Sequence, residues 1–126
     1  MRAKPKLLVI EDETAIIDIL RLNFELEGFE VAGCDMSTEA LKEALIELPD
    51  VIILDILMPL QSGWDVLEEL KANPVTRVIP VVICSVVKNK EAREKSARMG
   101  AAAHVAKPFE IAELVNLAKE LSGWRG

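Results

Sequence analysis

The sequence predicts an α/β fold, a parallel sheet covered by helices on both faces. Five short apolar runs alternate with five stretches of helical periodicity, the strand-then-helix order that builds such sheets. The central run, Val51-Ile52-Ile53-Leu54, shows no polar alternation and therefore reads as a strand buried on both faces. It ends at Asp55, and Pro59 forbids its continuation.

The elements follow in order. Lys6 to Ile10 forms the first strand, and Thr14 to about Glu27 the first helix, with Ile16, Ile17, Ile19, Leu20 and Phe24 on a wide apolar face and Gly28 as its stop. Glu30 to Cys34 is a second strand. Ser37 reads as the N-cap of a second helix, in which Leu41, Ala44, Leu45 and Leu48 recur at helical spacing until Pro49. After the Asp55 strand, Gly63 permits a tight turn into a helix from about Trp64 to Ala72, with Val66, Leu67 and Leu70 inward and Asn73-Pro74 as its breaker. Pro80 to Cys84 is the fourth strand, ended by Ser85. Lys90 to Met99 is helical up to Gly100, Ala103 to Ala106 make a fifth strand, and about Glu110 to Leu121 a fifth helix carrying Ile111, Leu114, Val115, Ala118 and Leu121 in register.

With 126 residues the chain suits one domain, residues 1–126, and one of this size buries about two thirds of its unfolded surface. A net charge of −6 argues against direct binding of the domain to nucleic acid. The apolar part of Met1 to Ile10 is too short for a signal peptide, and no run approaches the roughly 18 residues of a membrane span, so a cytoplasmic location and no membrane association are expected. Cys34 and Cys84 lie in apolar strands without metal-ligand spacing and read as core residues. The ending Ser122-Gly123-Trp124-Arg125-Gly126 suits either a natural terminus or the start of a linker.

In a right-handed parallel sheet the strand C-termini share one edge. Glu11 and Asp12 follow the first strand, Asp55 the third, Ser85 the fourth and Lys107 the fifth. Three carboxylates, a hydroxyl and an ammonium thus converge on one crevice. Clustered carboxylates repel one another unless a hard cation such as Mg²⁺ neutralises them, and that ion would also screen an incoming phosphoryl group. Asp55 then suits a nucleophile that forms an aspartyl phosphate, with Lys107 and Ser85 holding the phosphoryl oxygens.

The set Glu11-Asp12, Asp55-Ile56-Leu57-Met58-Pro59 with Gly63, Ser85, and Lys107-Pro108-Phe109 resembles the receiver domain of two-component response regulators over essentially the whole chain. The resemblance implies a doubly wound five-stranded sheet of flavodoxin-like (βα)5 type, strand order 2-1-3-4-5. On that order Cys34 and Cys84 sit three strand spacings apart, roughly 14 Å and beyond disulfide reach. It also implies phosphorylation of Asp55 by a sensor histidine kinase or phosphotransfer protein. Mg²⁺ would be held by Asp12 and Asp55, by the Leu57 carbonyl, and by Glu11 through water. Ser85 would be the switch hydroxyl and Lys107 the partner of the phosphoryl group or of Asp55. The fourth helix, fifth strand and fifth helix would form the output face for an effector protein, a fused output domain or a second copy of the chain.

Several residues depart from the family pattern. His104 stands where a Phe or Tyr usually swings inward, and a titrating imidazole there suggests a pH-sensitive switch. Val86, in place of Ala or Gly, narrows access to Asp55, while Leu57 and Val87 stand where relatives often carry polar groups that place an attacking water, so slow loss of the phosphoryl group is expected. Lys88, Lys90, Arg93, Lys95 and Arg98 against Glu91 and Glu94 give this region a charge of +3, and its apolar anchors are only Ala92, Ala97 and Met99. Weak anchoring suits an element that shifts, and the charge suits an acidic partner.

These features describe a signalling receiver rather than an enzyme. A haloacid dehalogenase-type enzyme needs a second Asp where Leu57 stands, and a flavin-binding domain needs a phosphate loop where Glu11-Asp12-Glu13 would repel one. A receiver-like docking module that works without phosphorylation is the alternative function.

Overall fold

The computed structural model describes residues 4–123; the readings made for the first three residues and for Trp124-Arg125-Gly126 lie outside them. Strands β1 (Lys6–Ile10), β2 (Glu30–Cys34), β3 (Val51–Leu54), β4 (Val81–Ser85) and β5 (Ala103–Ala106) alternate with helices α1 (Thr14–Leu26), α2 (Ala40–Glu47), α3 (Gly63–Ala72), α4 (Lys90–Arg98) and α5 (Ile111–Ser122). All strand pairs are parallel and the sheet order is β2-β1-β3-β4-β5. β1 and β3 are central in the sheet, which explains why their sequences are apolar on both faces.

Alternate residues point to opposite faces of a strand, and the core divides accordingly. Leu7, Val9, Val51, Ile53, Val82, Cys84 and Val105 pack with Ile17, Leu20 and Phe24 of α1 and Leu114, Val115 and Ala118 of α5. Leu8, Ile10, Ile52, Leu54, Val81 and Ile83 pack on the other face with Ala40 and Ala44 of α2 and Val66, Leu67 and Leu70 of α3. Phe24 meets Phe29 edge to face, ring centroids 5.1 Å apart. Both cysteines are buried free thiols, on β2 and β4 as predicted. Burial pushes both thiols up, that of Cys84 to about 12, which keeps them protonated and inert.

Three local expectations are corrected. Ser37 does not cap α2 with its side chain: residues Ser37–Glu39 form a single 3-10 turn, and the buried Ser37 hydroxyl donates instead to the carbonyl of Pro59, 2.9 Å away. The core side of α2 is made by Ala40 and Ala44, while Leu45 and Leu48 face solvent, and Ile19 likewise turns away from the packed stripe of α1. These small residues let α2 lie close to the sheet, a demand that helical spacing of leucines alone does not reveal. On α4 the inward residues are Ala92 and Ser96, one turn apart, whereas Ala97 is exposed.

Candidate functional site

Parallel strands deliver the predicted residues to one edge because each strand end is registered by its neighbour. The Glu11 amide donates to the Cys34 carbonyl, the Asp55 amide to Ile10 and the Lys107 amide to Ser85. The carboxylate oxygens of Glu11, Asp12 and Asp55 lie within 4.8 Å of one another. Lys107 Nζ reaches across from β5 and donates to Glu11 Oε1 at 2.5 Å and to Asp55 Oδ2 at 2.9 Å. The peptide bond from Lys107 to Pro108 is cis.

Glu11, Asp55, Ser85 and Lys107 are all buried, and Asp12 is exposed. Burial raises the Glu11 pKa to about 7, against the lowering effect of its bond to Lys107. For Lys107 burial acts downward, but the bonds to Glu11 and Asp55 outweigh it and hold its pKa above the ordinary value. Desolvation is the main cause of the raised Glu11, and the neighbouring Asp55 carboxylate, which shares the one ammonium, pushes in the same direction. Three oxygen-donor side chains, one of them open to solvent, fit a hard divalent cation and offer nothing to a soft one.

The loop after β3 shapes the approach. The Leu57 amide donates to Asp55 Oδ1 at 3.2 Å, so both carboxylate oxygens of Asp55 are held in known directions. Gly63 is required here for close approach rather than for a turn: a Cβ at this position would stand 2.2 Å from the Asp55 carbonyl oxygen and 2.6 Å from Ile56 Cα. Its amide donates to the Ile56 carbonyl at 2.8 Å, closing the loop on itself. The bond from Ser37 to Pro59 anchors the same loop from α2's side of the sheet. Leu57 and Val86 are about half exposed at the mouth of the site, which makes its rim apolar.

Ser85 and His104 take no part in the ion-paired cluster. The Ser85 hydroxyl accepts the amide of Val87 at 3.2 Å. His104 is partly buried beneath α4, its Nδ1 2.8 Å from Ser96 Oγ and its Nε2 2.8 Å from the Val87 carbonyl. Sequence reasoning missed the parts played by Ser37, Gly63's missing Cβ, and Ser96. The one usable signal was the spacing of Ser96, four residues after Ala92 on the same helix face.

A family model described as the response regulator receiver domain matches residues 7–119. The chain is 35% identical over 117 residues to the phosphate regulon transcriptional regulatory protein PhoB of Rhizobium meliloti, covering 93% of this chain and 52% of that protein. It is 36% identical over 122 residues to the transcriptional regulatory protein PrrA of Mycobacterium tuberculosis, covering 97% and 52% respectively. The chain thus spans about half the length of these curated relatives. Among solved structures, the receiver domain of the Francisella response regulator 1452 superposes with a TM-score of 0.89 at 28% identity, over 95% of this chain and 98% of that one.

Proposed function

The chain belongs to the response regulator receiver family, and from that premise we propose that it is a single receiver domain over residues 1–126 in which Asp55 accepts a phosphoryl group. Receiver domains are phosphorylation-dependent switches of two-component systems, signalling proteins rather than conventional enzymes, and they bind Mg²⁺ in an acidic pocket. The observation that carries the reading for this chain is Lys107 Nζ bonded at once to Glu11 and Asp55 at the ends of three different strands, beside an exposed Asp12.

Asp55 is the nucleophile in this proposal. One of its carboxylate oxygens attacks the phosphorus of a phosphohistidine on a sensor histidine kinase or phosphotransfer protein; the P–O bond forms, the P–N bond breaks, and the histidine leaves with the bonding pair. The Leu57 amide orients Oδ1, and Lys107 moves from Asp55 Oδ2 to an oxygen of the arriving phosphoryl group. Ser85 turns its hydroxyl to a second phosphoryl oxygen. Asp12 and Asp55, the Leu57 carbonyl and a water on Glu11 would hold Mg²⁺, which when bound supplies positive charge against the phosphoryl oxygens. Val86 narrows access to Asp55, and the apolar Leu57 and Val87 offer an attacking water no polar partner, so the phosphoryl group is lost slowly.

The readout is the face of α4, β5 and α5. The basic α4 region suits an acidic effector surface, and the same face is the one through which two copies of the chain would pair. The names of the relatives point to transcriptional regulation, with an output domain or effector making the nucleic-acid contacts. Among the described residues no helix is long and apolar enough to cross a membrane, in keeping with a cytoplasmic switch.

Incubation with Mg²⁺ and acetyl phosphate, followed by intact-mass measurement, tests the assignment. The protein gains the mass of one phosphoryl group, and Asp55→Asn gains none. No gain in the unaltered protein would overturn the proposal and favour a docking module that works without phosphorylation.

A further inference from the structure

Helix α4 is seated on the sheet with little apolar help. Its buried residues are Ala92 and Ser96, neither of which carries a large apolar side chain. What holds it is polar. From β5, His104 bonds Ser96 through Nδ1 and the Val87 carbonyl through Nε2, both at 2.8 Å. Arg93 makes a second stitch, its Nη1 donating to the His104 carbonyl at 3.3 Å and its Nε to the Lys88 carbonyl at 3.1 Å. Two side chains of α4 thus grip the same residue of β5, and both stitches also end on the loop that leaves β4.

That loop starts at the Ser85 hydroxyl, which accepts the amide of Val87. A continuous series of hydrogen bonds therefore runs from Ser85 Oγ through the amide and carbonyl of Val87 to the His104 ring and on to Ser96. If Ser85 turns towards Asp55, it either draws Val87 with it or gives up that amide. In the first case the carbonyl held by His104 moves, and in the second the loop keeps its bond to His104 and loses its tie to Ser85.

We propose that Ser96 and Arg93 are positioning residues that latch α4 to the Ser85 loop through His104, holding the helix in its unphosphorylated seat. This deepens, and for its effect on switching rests on, the reading of Asp55 and Ser85 given above. The latch closes with either protonation state of the ring. The Val87 carbonyl only accepts, so Nε2 carries a proton in both. In the neutral ring the Ser96 hydroxyl donates to Nδ1; with a second proton Nδ1 donates to Ser96 Oγ, whose own proton turns to the Ala92 carbonyl 3.0 Å away. The pH-sensitive switch expected from His104 thus has no geometric requirement in this arrangement.

The test uses Ser96→Ala, which suits a helix interior, Arg93→Gln, His104→Phe, and the double variant Ser96→Ala/His104→Phe. Hydrogen exchange of the α4 amides is measured in the unphosphorylated protein, with far-UV circular dichroism and the exchange of β1 and β3 as controls for folding. Ser96→Ala speeds exchange in α4 by about fivefold, the worth of one net hydrogen bond, and His104→Phe and Arg93→Gln, which each disturb two, by at least as much, while β1 and β3 keep their rates. The double variant adds little to His104→Phe, because both remove the same bond. Unchanged α4 exchange in Ser96→Ala and Arg93→Gln, or fully additive effects of Ser96 and His104, would overturn the latch. Titration with beryllofluoride and Mg²⁺ then reads the switch: Ser96→Ala binds about fivefold more tightly than the unaltered protein, and equal or weaker binding refutes the opposition of latch to activation. Failure of the unaltered protein to bind beryllofluoride would count instead against the reading of Asp55, since α4 exchange requires no phosphorylation.

Discussion

Raising the pH should weaken the metal-free protein through Glu11. The residue is only 3% exposed and its carboxylate shares Lys107 with Asp55; burial dominates and moves its pKa from the ordinary 4.5 to about 7. In the unfolded chain the same carboxyl titrates near its ordinary value. Between the two pH values the folded protein holds more protons than the unfolded one, and stability falls as pH rises. The contribution is fully present below about pH 4.5 and gone above about pH 7, with a ceiling of about 3 kcal/mol at 1.36 kcal/mol per pH unit. Urea unfolding in the presence of a chelator, followed by circular dichroism at half-unit steps from pH 4.5 to 8, measures it against Glu11→Gln, which cannot titrate. The stability of the natural protein minus that of Glu11→Gln should decline across this window at constant m-value. Parallel profiles for the two proteins would refute the account of a Glu11 carboxyl held protonated by its burial.

Three further predictions concern the scaffold and the rim of the site. Gly63→Ala places a methyl group against the Asp55 carbonyl and the Ile56 backbone, so it should cost more than about 3 kcal/mol in urea unfolding or, if the loop yields, slow phosphorylation of Asp55 several-fold. Phe24→Ala removes a fully buried ring that packs edge to face on Phe29; a loss of about 3–5 kcal/mol is expected, and a loss below 1 kcal/mol would mean that the α1 face does not carry the core as described. Leu57→Asn introduces a polar group at the mouth of the site and should shorten the lifetime of the phosphorylated protein several-fold, followed by mass after removal of the phosphodonor; an unchanged lifetime would detach slow dephosphorylation from the apolar rim.

Most of the architecture was legible because the physics that sets it is local or periodic. Runs such as Leu7 to Ile10 and Val51 to Leu54 are apolar on both faces, which in a parallel sheet happens only to covered strands, and the residue after each run is then at the common edge. The meeting of Glu11, Asp12, Asp55 and Lys107 followed from that edge alone, and their distances agree with it. The strand order itself came from family resemblance, since alternation permits more than one winding.

Other features depended on contacts between residues far apart in the chain. Ser37 has the identity of a helix cap, yet the backbone of the loop after β3 passes close enough for the Pro59 carbonyl to accept a hydrogen bond from its hydroxyl. Gly63 looks like a turn residue, and only the path of the Asp55 and Ile56 backbone reveals that the space for a Cβ is already filled. His104 and Ser96 are eight residues apart on different elements; the spacing of Ser96 from Ala92 places it on the buried face of α4, but not against the His104 ring. The sequence by itself determined the strands, the shared edge and the chemistry gathered there, since burial patterns and residue types need no knowledge of distant neighbours. The tertiary structure alone decided which groups share the Lys107 ammonium, what holds the Asp55 loop and how α4 is latched, because each rests on the meeting of atoms that the chain brings together only when folded.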